Sequence, residues 1–157
     1  MPSTRLQEEL KQTKPFKSPA QEALLSILVT ADRLGGAQED AMKPFGVTAT
    51  QYNVLWILRG ARPGGLPCGE IGCRMVSRVP DVTRLLDRME QIGLVGRDRD
   101  RDDRRVVVAR LTAKGLGLVN RMDGAVDKLD HKLVEAIGAA KLTKLSRLLE
   151  EVRALLD

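Results

Sequence analysis

The residues best equipped for chemistry in this sequence are arginines, and they are concentrated. Between Arg59 and Arg110 every basic residue is an arginine, and no lysine occurs between Lys43 and Lys114. A guanidinium offers a planar fork of donors that grips a phosphate or a guanine edge through two hydrogen bonds. Arginine-rich codon usage would produce the same bias, but the lysines at both ends of the chain argue against that as a full account. Two groups stand out. Arg78, Asp81, Thr83 and Arg84 fall close together, with Arg88 one helical turn beyond Arg84. Further on, residues 97–105 hold five arginines and four aspartates, for a net charge of only +1, and every residue of 98–104 is charged. A purely electrostatic clamp would not carry so many aspartates.

Other chemistries lack their residues. His131 is the single histidine, which leaves little acid–base capacity, and no nucleophile–base pairing or glycine-rich phosphate loop accompanies it. An enzyme is therefore not expected, and no cofactor is implied. No acidic or cysteine cluster has metal-ligand spacing, so no metal is expected either. Cys68 and Cys73 are too few for a disulfide framework. They do permit a thiol-redox reading: were Cys68 to open a helix, the helix N-terminus would lower its thiol pKa. Five residues of helix separate the two side chains by about 140°, so an intrachain disulfide would need local unfolding. Residues 1–17 are polar without an apolar segment, and no stretch has the length of a membrane span, so a soluble cytoplasmic chain is expected. The net charge of +5 suits an anionic partner.

The elements that must position the arginines follow from periodicity. Hydrophobic residues make up 43% of the 157, enough for a core, and few are aromatic, which favours helices over a β-sandwich. Residues 1–18 read as a loose arm, and 19–157 as one domain. Leu24, Ile27, Leu28, Ala31 and Leu34 have helical spacing, predicting a first helix over 19–42 with a weak point or a close approach at Gly35–Gly36. Thr48 and Gln51 form a capping box, with Val47 and Tyr52 as hydrophobic staple, ahead of a second helix whose apolar side is Tyr52, Leu55, Trp56 and Leu58 and which ends at Gly60. Arg62, Pro63, Gly64 and Gly65 make a loop. A short third helix is expected over about 69–75. A fourth begins at Pro80 as its first residue, with Asp81 complementing the helix dipole, Val82, Leu85, Leu86 and Met89 inward, and Gly93 as C-terminal cap. A short helix, a turn and a longer helix in succession form a helix–turn–helix. Then the period changes to that of strands over 94–97 and 106–111, joined by the charged loop. Thr112 caps a fifth helix with Leu116, Val119, Val126, Leu129, Leu133 and Ile137 inward. Leu145, Leu148, Leu149, Val152, Leu155 and Leu156 define an amphipathic sixth.

The run Val79, Pro80, Asp81, Val82, Thr83, Arg84, Leu85, Leu86, Asp87, Arg88, Met89, Glu90, followed by Gly93, Leu94 and Val95, resembles the recognition helix of the MarR family. Asp103, Arg104 and Arg105, then Val106, Val107 and Val108, then Leu111, Thr112, Ala113, Lys114 and Gly115, are similar to that family's wing and its exit. The resemblance spans 48–115 and implies a mainly α fold with a small β-hairpin wing: a winged helix–turn–helix with N- and C-terminal dimerisation helices over 19–43 and 116–157.

It further implies a homodimeric transcriptional regulator of double-stranded DNA, usually a repressor, which reads a pseudo-palindromic operator. Arg105 would enter the minor groove while Asp103 fixes its rotamer, and a narrow minor groove attracts such an arginine. Arg78, Asp81, Thr83 and Arg84 would face the major groove from the recognition helix's N-terminal end, with Asp81 accepting from cytosine or orienting Arg84. Arg88, Arg99, Arg101 and Arg104 are candidate contacts with a competing reading as solvated surface. The remaining wing aspartates would pair with Arg99 and Arg101 or keep the tip soluble. Family members respond to small aromatic or phenolic compounds, to thiol oxidation or to metal, and Leu28, Tyr52 and Trp56 are the candidate lining of an effector pocket. Three alternatives stay open: a nonspecific nucleic-acid binder, a protein-interacting winged-helix module and a redox-sensing regulator.

Overall fold

The computed structural model describes residues 4–156. The first three residues of the expected arm, and Asp157, lie outside them. The chain divides into two compact units, residues 1–40 and 41–157. In the first, the segment expected to be a loose arm contains a helix, α1 (Arg5–Glu9), capped by the Thr4 hydroxyl. Helix α2 (Pro19–Met42) matches the range expected of the first helix and passes through Gly35–Gly36 without interruption. Within this unit Arg33 pairs with Glu9 at 2.9 Å.

The second unit holds the core. A 3₁₀ turn (Lys43–Phe45) leads to α3 (Ala49–Gly60), whose start is the capping box that the sequence specified. Thr48 Oγ1 accepts from the Gln51 N–H at 3.1 Å, and Gln51 Oε1 accepts from the Thr48 N–H at 3.0 Å. An N-cap of this type stabilises a helix by about 1 kcal/mol. Val54, Leu55, Ile57 and Leu58 are its buried residues. Trp56, expected on the apolar face, is 56% exposed, because the face that meets the core is set by the two pairs flanking it. Strand β1 (Leu66–Pro67) follows, then α4 (Cys68–Arg74), one residue earlier than expected. Helix α5 (Val82–Gln91) begins two residues later than expected, at Val82. Asp81 is its N-cap rather than its second residue: its carboxylate accepts the Arg84 N–H at 2.9 Å, which leaves Pro80 outside the helix.

Strands β2 (Val95–Arg99) and β3 (Val107–Leu111) form the wing. The sheet has three strands, in the order β1-β3-β2, all antiparallel. Strand β1 has no counterpart among the elements expected from periodicity. Its two residues are too few to show alternation, and Pro67 lacks the N–H of an interior strand, which suits an edge. Helix α6 (Ala113–Ile137) buries Gly115, Leu118, Val119 and Met122, a set shifted from the expected one. Val126 is only partly covered, and Ile137 is 39% exposed. Helix α7 (Ala139–Ala154) buries no residue of its own; Leu145, Leu148, Val152, Leu155 and Leu156 are exposed.

The core joins α3, α4, α5, the sheet and the first half of α6. Leu55, Leu58, Ile71, Leu86 and Met89 are fully buried there, each contributing about 1.5–3 kcal/mol. Gly115 permits the closest approach: a Cβ would stand 2.1 Å from the Leu94 carbonyl oxygen, so only glycine lets α6 cross the start of the wing. Arg59 ties α3 to α6 with a two-pronged bond to Asp123, both at 2.9 Å. Among the described residues, no helix is long and apolar enough to cross a membrane.

Candidate nucleic-acid interface

Two elements present the arginines: helix α5 and the β2–β3 wing. The orientation of α5 is fixed at both ends. At its start the Asp81 cap holds the Arg84 backbone, so Asp81 acts on the main chain of Arg84 rather than on its guanidinium. At its end the Leu94 N–H bonds to the Met89 carbonyl and the Gly93 N–H to that of Glu90, both at 2.9 Å, with Gly93 at φ +77°. That Schellman arrangement favours glycine. Lys114 Nζ adds a bond to the Ile92 carbonyl at 2.7 Å. Leu86 and Met89 anchor the buried side, leaving Thr83, Arg84 and Arg88 exposed on the other. Arg78 is exposed in the turn between α4 and α5. That turn is held from α3 by Asn53, whose Oδ1 accepts the Val76 N–H at 2.9 Å. The sequence offered no signal for Asn53, since its partner lies 23 residues away.

The wing tip is built by its aspartates. Asp100 Oδ1 accepts the N–H groups of Asp102 (2.9 Å) and Asp103 (3.0 Å), and those bonds hold its carboxyl below the usual carboxylate range. The Asp100 N–H donates to the Val106 carbonyl, and the Val106 N–H to that of Asp103, both at 2.9 Å. Asp103 Oδ1 accepts the Arg105 N–H at 3.0 Å, while its distance to the Arg105 Nε is 3.9 Å. In the free chain, then, Asp103 fixes the backbone at Arg105 more firmly than the side chain, which is 96% exposed. The expected pairing of wing aspartates with Arg99 and Arg101 is not what forms. Arg99 donates to the Arg104 carbonyl at 2.9 Å, and Asp98 faces Arg110 at 3.8 Å. Short aspartate side chains reach backbone N–H groups two or three residues ahead, which is how they make turns. Arg101 and Arg104 are exposed at the tip.

At the base of the wing lies a residue that the sequence reading left out. Arg97 is 18% exposed, and its guanidinium bonds to Asp87 and Glu90 on α5. Its own N–H also donates to Glu90 Oε1 at 3.2 Å. Thr83, Arg97 and Arg105 line one cleft of about 360 Å³ together with Pro67, Cys68 and Gly69. Helix α5 and the wing therefore meet across a single concave surface.

The other candidates fall elsewhere. Cys68 does open α4, yet burial pushes its thiol pKa up, outweighing the opposing pull of Arg97, so the expected lowering does not occur. Cys73 is exposed, and both cysteines are free thiols. Trp56 lines a hollow of about 390 Å³ with Ile57, Arg59, Gly60 and Arg74. Tyr52 is half-buried on the same helix, its hydroxyl pKa raised by burial, and does not line that hollow. Leu28 is exposed on α2. His131 is exposed on α6, its Nδ1 2.7 Å from the Asp127 carbonyl oxygen. Among the described residues no group of three or more His, Cys, Asp or Glu is placed to hold a metal ion.

A helix–turn–helix made by α4 and α5, followed by a two-stranded wing and backed by a third short strand, defines a winged helix–turn–helix protein. The sequence model of the MarR family matches residues 47–107, from the α3 cap into β3. The homoprotocatechuate degradative operon repressor of Escherichia coli is 30% identical over 73% of this chain and 76% of its own length. Among solved structures, a MarR transcription factor from Planctomyces limnophilus is 37% identical, with a TM-score of 0.65 over 87% of this chain and 98% of that one. CouR, a transcriptional repressor solved on a 23-mer DNA duplex, is 26% identical, with a TM-score of 0.70 over 89% and 99%. The chain belongs to the MarR family.

Proposed function

We propose that this chain is a sequence-specific regulator of transcription that binds double-stranded DNA as a homodimer in the cytoplasm, acting as a repressor released by a small-molecule effector. The observation that carries the reading is the shared cleft: an exposed first turn of α5 and an exposed Arg105 on the wing flank one concave surface. An α-helix fits the major groove, and a projecting arginine suits the adjacent minor groove. The resemblance to repressors, one of them solved on a DNA duplex, supports it.

In this reading Thr83 and Arg84 meet base edges, with Arg78 and Arg88 beside them. Asp81 sets the backbone that presents Arg84. Arg105 enters the minor groove, and Asp103 orients it. Arg99, Arg101 and Arg104 face phosphates. The 19–43 and 116–157 helices make the dimer, and the exposed leucines of α7 support that assignment because a lone chain leaves them in water. Trp56, in the hollow that it lines with Ile57, Arg59, Gly60 and Arg74, is assigned to the effector.

Selection of random duplex DNA against the purified protein tests the reading. A two-fold-symmetric motif is expected, with half-sites about 10 base pairs apart. Operator affinity should exceed bulk-DNA affinity at least about a thousandfold at fixed salt. Arg84→Ala should relax one position of each half-site, whereas Arg99→Ala should weaken both kinds of DNA nearly equally. A ratio near one with no symmetric motif would replace this reading with a nonspecific binder.

A further inference from the structure

We propose that Arg97 is a positioning residue for DNA recognition: by joining the wing base to α5 through Asp87 and Glu90, it sets the spacing at which the recognition helix and Arg105 engage neighbouring grooves. The proposal rests on the DNA-binding reading above, and its geometry is independent of it. A reader that uses two grooves at once needs its two elements at one separation, because the grooves themselves are fixed in space. Core packing of Val95 and Ala109 seats the base of the wing, and holding the rest of it at that separation falls to polar bonds. Among the described residues, the hydrogen bonds of its tip run within the tip, through Asp100, Asp103, Arg99 and Val106. Its strands pair with one another and with β1, and none of these pairings bonds β2 to α5.

Arg97 supplies that link. Its guanidinium donates to Glu90 Oε2 from Nη2 at 2.7 Å and from Nε at 3.2 Å, and to Asp87 Oδ1 from Nη2. The backbone bond from its N–H to Glu90 Oε1 gives the same carboxylate a third contact. Asp87 and Glu90 are three residues apart on α5 and so lie on one side of it, where a single planar fork reaches both. A second consequence is electrostatic. Two carboxylates beside a phosphate-binding surface would repel DNA, and Arg97 offsets one of their two charges where they stand. Arg97 lines the cleft between Thr83 and Arg105, and 18% exposure leaves it small access to a phosphate itself.

The test is a double-mutant cycle on the full chain with a selected operator duplex, beside hydrogen exchange of the free protein. In the wild type, Arg105→Ala should cost about tenfold or more in affinity. In an Arg97→Ala background the same change should cost less than about threefold, because a wing no longer held at its station gains little from Arg105. Without DNA, Arg97→Ala should speed exchange of the β2 and β3 amides while leaving those of residues 54–58 in α3 unchanged. A general loss of stability would speed both and leave the Arg105 cost unaltered. Asp87→Asn combined with Glu90→Gln breaks the clamp from the other side and should reproduce both results; it carries the test should Arg97→Ala not fold. An equal Arg105 cost in both backgrounds would overturn the positioning role, and unchanged wing exchange would overturn the clamp itself. Wild-type protein without operator preference would overturn the DNA reading and the positioning role with it, and accelerated wing exchange would then leave Arg97 as a structural tie alone.

Discussion

The base and the tip of the wing use the same two residue types for opposite purposes. At the base, Arg97 is mostly covered and spends its donors on Asp87 and Glu90 of another element. At the tip, Arg105 is 96% exposed, and its aspartate neighbour grips the main chain instead of the guanidinium. Composition cannot separate the two, since both lie within 97–105, where arginine and aspartate nearly alternate. What differs is which carboxylates stand within reach. An arginine facing a helix side with two acids three residues apart becomes a structural tie. One facing open solvent keeps its donors for a partner.

Three experiments sharpen or break that contrast. The largest effect is expected for Arg105→Ala. Operator binding should weaken by about 1–3 kcal/mol, while the melting temperature stays at the wild-type value, because the side chain touches little of its own protein. A fall in melting temperature of several degrees would make Arg105 a structural residue like Arg97.

A smaller effect is expected for Asp100→Ala. The change frees the N–H groups of Asp102 and Asp103 at an exposed site where water replaces the lost acceptor, so global stability should hold. Amide exchange at 101–105 should accelerate and operator affinity should fall by less than it does for Arg105→Ala. An affinity loss equal to or above that of Arg105→Ala would mean that the tip's conformation, and not its arginine, dominates binding.

The smallest effect is expected from pH. Arg97 lowers the pKa of Glu90, and backbone N–H groups lower that of Asp100. A carboxyl with a depressed folded-state pKa contributes stability that is complete above its ordinary value, about 4.3 for Glu and 3.9 for Asp, and is lost as pH falls further through the depressed one. Wing protection in hydrogen exchange, corrected for intrinsic rates, should therefore be flat from neutral pH down to about pH 5. Loss of wing protection already near pH 6 would contradict both carboxylate assignments.

Much of this arrangement was legible in the sequence, where the deciding interactions are local. Thr48 and Gln51 announce the start of α3 because the capping box closes within four residues. Gly93 marks the end of α5 for the same reason. The charged run 98–104 was legible as a hairpin tip because it has nothing to bury, although its first two residues, Asp98 and Arg99, continue β2 and pair with β3. The chemistry of the wing and of the α5 N-terminus was likewise visible in residue types, as was the MarR likeness in two ordered motifs.

Tertiary structure alone decided the rest. Asn53 bonds to a turn 23 residues on, Arg97 reaches back ten and seven residues to α5, and β1 exists only because β3 lies beside it. Trp56 turns outward because Leu55 and Ile57 on either side are the ones that meet the core. Cys68 opens its helix as the pattern suggested, but burial governs its thiol, and burial is a property of neighbours distant in sequence. Short-range hydrogen bonds and periodicity are written in consecutive residues. Which charge finds a partner, and which side chain loses its water, depends on segments that folding alone brings together.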